Sequence, residues 1–503
     1  MKLTKWLAYA GGSLVVAAWT VVRHWTNGVN FDVVGQIGVA QQWAHGLHSG
    51  AQFGATNYLL KMPFYFLVNS FGFLSPHLKL LLLALFFNIA AFCLIFLAVE
   101  KILKLYGVKP GAWVWLGALW LSVISDRVWW LDYANSRNLE TAGGIWLLYL
   151  GLRLLNKLSW RNFGLFAALG SVVFFADQLQ LYVIGGGLII YGIPALRWKL
   201  PGEEMAKRLS VIVGVITGWI GAKLILWIAT VLLPLSFLIA PKVPIHFSGE
   251  VIKDLAVNTA KIFDVSFWAA GSTINEGREV LNLVMLAGMA AAIVWALRQR
   301  QKSRELVWVT ACCVVAAYGS YVASGQVAQW ATERYLIMVP ILVFVAFTAV
   351  IPRLSRTITL GWAAILAVCG LLSFGALVKS WPNHYSKDAR INYVLDFMRE
   401  NHFELAVGSR DGIVDTYFAD RSLAILPTVC LPDHTLALSN LFYDRAEFSR
   451  VKDDQVPIIV PGGGIVSGSS TCDLEDIQKQ LGNPSQILPV NHYGTALIYN
   501  GAS

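Results

Sequence analysis

A chain of 503 residues that is 56% hydrophobic and only 14% charged, with 20 Trp and a mean hydropathy of +0.58, is excluded from the water-soluble globular class. It reads as a polytopic α-helical membrane protein. The formal charge of +9 falls in short basic clusters beside apolar runs, the pattern of membrane anchors, so no nucleic-acid partner is expected.

In chain order, apolar stretches lie near 6–22, 80–99, 110–125, 141–155, 162–176, 180–196, 209–235, 279–297, 305–324, 335–351 and 358–378. Each approaches the roughly 20 residues that cross a hydrocarbon core, which predicts about eleven transmembrane helices. Lys and Arg gather in alternate loops: Lys2 and Lys5, Lys101 to Lys109, Arg153 to Arg161, Arg197 to Arg208, Arg298 to Arg304, and Arg353 with Arg356. Those loops are assigned to the cytoplasm, the N-terminus with them, and an odd span count sends everything after about residue 380 to the opposite face.

Three outward regions are polar enough to build a site. The first, 23–77, carries Asp32, His45, His48 and Lys61, with an apolar segment at 58–74 that suits an interfacial helix. The second, 126–140, contains Asp126, Arg127, Asp132, Asn135, Arg137, Asn138 and Glu140; the third, 240–278, holds His246 among other charges. Asp177 ends the fifth span and Lys223 sits inside the seventh, where unpaired charge is costly, so a pair between them or a polar cavity is expected.

Hydropathy falls after Trp381-Pro382-Asn383, and residues 381–503 read as a small extracytoplasmic α/β domain. Helical spacing covers 387–401, strands are predicted at 403–407, 423–426, 456–460, 485–489 and 495–499, and a helix at 473–481 can open on Asp473 or Cys472. Gly462-Gly463-Gly464 lacks a Walker lysine and is read as a turn. Cys430 and Cys472 are the only cysteines in this region, and the oxidising side assigned to it permits a disulfide between them.

An outward-facing acid with nearby cations suits chemistry on a lipid-linked phosphate. Asp32 can orient and deprotonate an acceptor, while Lys61, Arg137 and Arg334 can hold the phosphate, arginine as a bidentate fork and lysine as a point charge. A divalent ion, Mg2+ or Mn2+, can bridge Asp32 and Glu140. Each residue has a plainer reading. Asp32 can cap a helix starting at Val33, Lys61 can snorkel to the interface, Arg137 and Glu140 can form an ion pair three residues apart, and Arg334 beside Glu333 can anchor a span.

Asp32 followed by Gln36, Ala40 and Gly46, then Lys61-Met62-Pro63-Phe64 and Phe71-Gly72, resembles the opening of the GT-C membrane glycosyltransferases, which include protein O-mannosyltransferases and lipid A aminoarabinose transferases. Arg137-Asn138-Leu139-Glu140 falls where that superfamily places a second polar site, and Glu333-Arg334-Tyr335-Leu336 is similar to its "RYL" element. Two features depart from the pattern: Val33 follows Asp32 where an acid is common, and the lysine motif reads Lys-Met-Pro.

The resemblance implies a GT-C-like transmembrane catalytic domain over 1–380 in a bacterial inner membrane, with a polyprenyl-phosphate sugar as donor. The acceptor would be a cell-envelope glycan such as O-antigen, a lipid or a protein. Asp32 and Glu140 would be catalytic, and Asp132, His246 and Tyr335 would line the acceptor cleft. Two other classes share the topology: a transporter or flippase of envelope intermediates, and a noncatalytic assembly scaffold. The absence of a convincing internal repeat and the clustering of charge at one surface weigh against transport.

Overall fold

The structure is a computed structural model, and it describes residues 2–27, 52–53, 57–71, 73–74, 76–108, 137–194, 202–232, 236–237, 249–263, 265, 276–298, 303–324, 333–350, 356–380, 385–403, 405–409, 424–431, 433–438, 456–467 and 470–499. In chain order these residues form α1 (Lys2–Asn27), β1 (Gln52–Phe53), α2 (Asn57–Asn69), α3 (Pro76–Leu105), α4 (Asn138–Asn156), α5 (Trp160–Ala176) and the single turn α6 (Gln178–Gln180). A π-helical turn at Leu181–Gly185 leads into α7 (Gly186–Gly192), followed by α8 (Gly202–Leu232), β2 (Ser236–Phe237), α9 (Gly249–Ile262), α10 (Glu276–Arg298) and α11 (Ser303–Ala323). A 3-10 helix at Glu333–Leu336 precedes α12 (Met338–Thr348), α13 (Arg356–Ser380) and α14 (Tyr385–Glu400). The remainder is β3 (Leu405–Ser409), β4 (Ala424–Cys430), β5 (Leu436–Leu438), β6 (Ile458–Pro461), β7 (Ile465–Ser467), β8 (Ser470–Cys472), α15 (Leu474–Leu481), β9 (Gln486–Val490) and β10 (Gly494–Ile498).

Two compact units result: one of Met1–Val22, Ala84–Ala229 and Pro241–Val378, the other of Arg23–Leu83, Thr230–Ala240 and Lys379–Ser503. Among the described residues, four helical stretches are long and apolar enough to cross a membrane: Trp6–His24, Leu78–Leu105, Gly202–Leu232 and Arg304–Ala323. Shorter apolar helices lie at Trp160–Ala176, Glu279–Trp295, Met338–Thr348 and Thr357–Leu372, and the chain is an integral membrane protein. The predicted span at 110–125 lies outside the described residues.

Within the first unit, α4 is buried on nearly every side, as a helix at the centre of a bundle must be. Ser159 caps α5 by accepting from the Asn162 N–H at 3.2 Å. On α8 the buried face is Val211, Gly214, Val215, Gly218 and Ala222, a stripe of mostly small residues against α5. There Gly218 meets Gly170 so closely that an added Cβ would stand 3.2 Å from the Gly170 Cα.

The predicted sixth span carries a π turn. Asp177, between the fifth and sixth spans, leaves the helical path (φ −148°, ψ 105°) and caps α6 through the Leu179 N–H, and the π turn is closed by the Gly186 N–H on the Leu181 carbonyl. One extra residue in that turn lets Gln180 face α4 while Gly187 lies against the Cys313 backbone of α11.

In the second unit, β1 and β2 form a two-residue parallel pair, Gln52 opposite Ser236 and Phe53 opposite Phe237. The larger sheet has the order β5-β4-β3-β6-β10-β9; β3 runs parallel to β4 and β6, and the other neighbours are antiparallel. Alternation along the strands divides the core between two faces. Ala406, Ile459 and Ala496 pack with Val394, Leu395, Phe397 and Met398 of α14, while Val407, Ile458, Val460 and Leu497 pack with Ile477 of α15 and the Cys430–Cys472 disulfide.

Asp473 caps α15 in a reciprocal capping box with Asp476. The three-glycine segment is a turn: the Gly464 N–H donates to the Pro461 carbonyl at 2.8 Å, and Gly464 takes φ +81°, a conformation glycine adopts without Cβ strain.

Candidate functional site

The N-terminus of α4 gathers most of the described polar groups that sequence placed at outward ends of spans. Arg137 precedes the helix with its side chain 26% exposed; its Nη1 donates to Asp177 Oδ2 at 3.3 Å and forms an ion pair with Oδ1 at 3.1 Å. Asp177 is buried, and it also accepts from the Leu179 N–H at 3.1 Å and from Gln180 Nε2 at 3.5 Å. The Tyr335 ring lies under the guanidinium, 5.0 Å from its carbon to the ring centroid. The 3-10 helix that carries Tyr335 packs against α9, α11 and α12.

Three chain segments, ending near residues 137, 177 and 335, therefore converge on one guanidinium. An arginine has five N–H donors, and among the described residues only Nη1 has hydrogen-bond partners. The remaining edge, at Nη2 and Nε, has the geometry that grips phosphate or carboxylate oxygens in pairs. The N-terminal dipole of α4 adds to the positive potential.

Beside this pair runs a buried relay of neutral groups. Asn138 Nδ2 donates to Asn88 Oδ1 at 3.0 Å, Asn88 Nδ2 donates to Thr20 Oγ1 at 3.0 Å, and Thr20 Oγ1 donates to the Val16 carbonyl at 2.8 Å. Asn138 Oδ1 accepts from the Leu139 N–H at 2.9 Å. All three side chains are fully buried, so the chain ties α1, α3 and α4 together where a lost partner would be costly.

Of the residues singled out in the sequence, Arg137 and Tyr335 are brought together. Glu140 sits buried in the first turn of α4, but the carboxylate that holds Arg137 is Asp177, not Glu140. Nor does Asp177 pair with Lys223, which is exposed on α8 among Trp219, Ile220, Leu224 and Trp227.

Lys61 lies in the other unit, fully buried on α2 with Met62 and Tyr65, which replaces the snorkelling reading. Arg334 belongs to the 3-10 helix, and its side chain is outside the described residues, as are Asp32, Asp132 and His246 altogether. Sequence reasoning passed over Asn88, Gln180, Glu279 and Asn282, all fully buried on helices; a polar residue inside an apolar run was the available signal.

Among the described residues no group of three or more His, Cys, Asp or Glu could hold a metal ion. Of the two carboxylates expected to bridge Mg2+ or Mn2+, Glu140 is described and buried, and Asp32 lies outside the described residues.

No family model matches the sequence, and no curated protein matches it significantly. Among solved structures, the chain is similar to the crystal structure of ArnT from Cupriavidus metallidurans in the apo state, with a TM-score of 0.57 and 13% identity over 99% of this chain and 98% of that one. The fold is GT-C-like, in agreement with the resemblance read from the motifs.

Proposed function

We propose that the protein is an inverting glycosyltransferase that moves one sugar from a polyprenyl-phosphate donor to an acceptor outside a bacterial inner membrane. The observation that carries this reading is the half-open guanidinium of Arg137, held by Asp177 and Tyr335 and set on a fold that matches ArnT over 99% of the chain. A fixed cation with a free bidentate edge, at the end of a membrane helix, suits a lipid phosphate. The Cys430–Cys472 disulfide supports placing the C-terminal sheet on the oxidising side.

In the reaction, the acceptor oxygen attacks the anomeric carbon from the face opposite the phosphate. Asp32 takes the acceptor proton, the bond from the anomeric carbon to the phosphate oxygen breaks, and its electrons leave on that oxygen. Arg137, with Arg334, stabilises the departing lipid phosphate. Asp132, His246 and Tyr335 border the acceptor, which is an envelope glycan, lipid or protein. A Mg2+ or Mn2+ ion held by Asp32 and Glu140 would add a further positive charge at the phosphate.

The test is release of polyprenyl phosphate from a panel of polyprenyl-phosphate sugars by protein in proteoliposomes. Arg137→Gln is expected to lower turnover by about 100- to 1000-fold, the scale for removing one donor aimed at developing negative charge. Unchanged turnover in that variant would remove Arg137 from the site.

A further inference from the structure

We infer that Asp177 is a positioning residue that acts through Arg137, setting both the orientation and the net charge of the phosphate grip; this rests on the transferase reading above. Both Asp177 oxygens engage the single nitrogen Nη1, at 3.1 Å and 3.3 Å, so the contact is end-on. A carboxylate that served only to neutralise arginine would take the bidentate edge for itself. Among the described residues nothing takes that edge, which suits it to a second anion.

Tyr335 fixes the plane of the guanidinium from one face, and Asp177 fixes its rotation within that plane. Asp177 is in turn held in place by the Leu179 N–H and the Gln180 amide. Gln180 is fully buried, and its Oε1 lies against Gly144, two turns into α4. Arg137, Asp177, Gln180 and Gly144 thus form a closed circuit between α4 and α6.

The carboxylate also offsets the guanidinium charge. With Asp177 ionised, the pair is neutral and the phosphate is held by geometry, so the product lipid phosphate can leave. Asp177→Asn keeps the side-chain shape and an oxygen for the Leu179 N–H but exposes the full positive charge. A nearby unit charge at the effective dielectric of a protein surface changes anion binding on the order of tenfold.

Two changes in opposite directions are therefore expected of Asp177→Asn: kcat falls by about 100-fold because the grip is misaligned, and inhibition by polyprenyl phosphate tightens about tenfold. A merely structural aspartate would not make phosphate bind more tightly. In an Arg137→Gln background, Asp177→Asn should change kcat by no more than about twofold, because its route of action is gone.

Steady-state kinetics and product inhibition would be measured in proteoliposomes for the wild type, both single variants and the double variant, with gel filtration as the folding control. Unchanged kcat and inhibition in Asp177→Asn, or losses that multiply in the double variant, would overturn the inference while leaving the transferase reading intact. A wild type that releases no lipid phosphate would overturn the transferase reading first, before any variant is compared. If Asp177→Asn does not fold, Asp177→Glu decides: kcat reduced with product inhibition near wild type supports positioning by a displaced carboxylate, and unchanged kcat opposes it.

Discussion

Replacing Cys430 and Cys472 together by alanine removes a bond that closes a loop across 42 residues and joins the ends of β4 and β8. In the chain-entropy description, closing a loop of that length stabilises the folded state by about 4 kcal/mol, between the roughly 3 kcal/mol of a 15-residue loop and the roughly 4.7 kcal/mol of a 100-residue one. Both cysteines are buried in the same cluster as Leu436, Ile465 and Ile477, so alanine rather than serine avoids stranding a hydroxyl there.

With a urea dependence of about 1–3 kcal/mol per molar, the unfolding midpoint of the sheet should fall by roughly 1.3–4 M. Pulse proteolysis of the full-length protein in proteoliposomes across a urea series reads this directly, with fragments mapped to residues after 400. A shift below about 0.5 M would refute the argument that the bond stabilises this sheet. So would maleimide labelling of both cysteines in protein prepared without reductant.

Gly144→Ala drives a methyl into the Gln180 amide and should cost about 1–3 kcal/mol in stability, with a larger proportional loss of activity than of folded protein; heat stability and turnover of the same preparation check this. Asn88→Ala removes the middle of the buried relay and leaves Thr20 Oγ1 and Asn138 Nδ2 each short of one partner. The expected cost is about 1–3 kcal/mol, seen as a lower melting temperature.

The membrane class, the two helices and five of the six strands of the C-terminal sheet were legible because length and periodicity report them directly; the three-residue β5 was too short to show. The helix expected at 387–401 is Tyr385–Glu400, the strand at 485–489 is Gln486–Val490, and of the two residues offered as openers of the last helix, Asp473 caps it. The π turn within the sixth span was not legible, because it inserts one residue into an apolar run without changing its composition.

The partner of Arg137 was also hidden. Spacing along one helix favoured Glu140, three residues on, but that side chain turns into the bundle, and the guanidinium reaches an aspartate 40 residues away. Long-range pairing between segments is set by packing, which local spacing cannot report. Lys61 illustrates the same point: Lys61 and Tyr65, one turn apart on α2, share a fully buried face, although the sequence alone suited an interfacial helix.

The central claim is transfer from a lipid-linked sugar, and the most direct measurement is release of polyprenyl phosphate by the wild type and by Asp32→Asn, each in lipid with a donor panel and envelope acceptors. Release by the wild type that is lost in a folded Asp32→Asn protein is the predicted result; no release by folded wild type across the panel, or equal release by both proteins, would contradict the account.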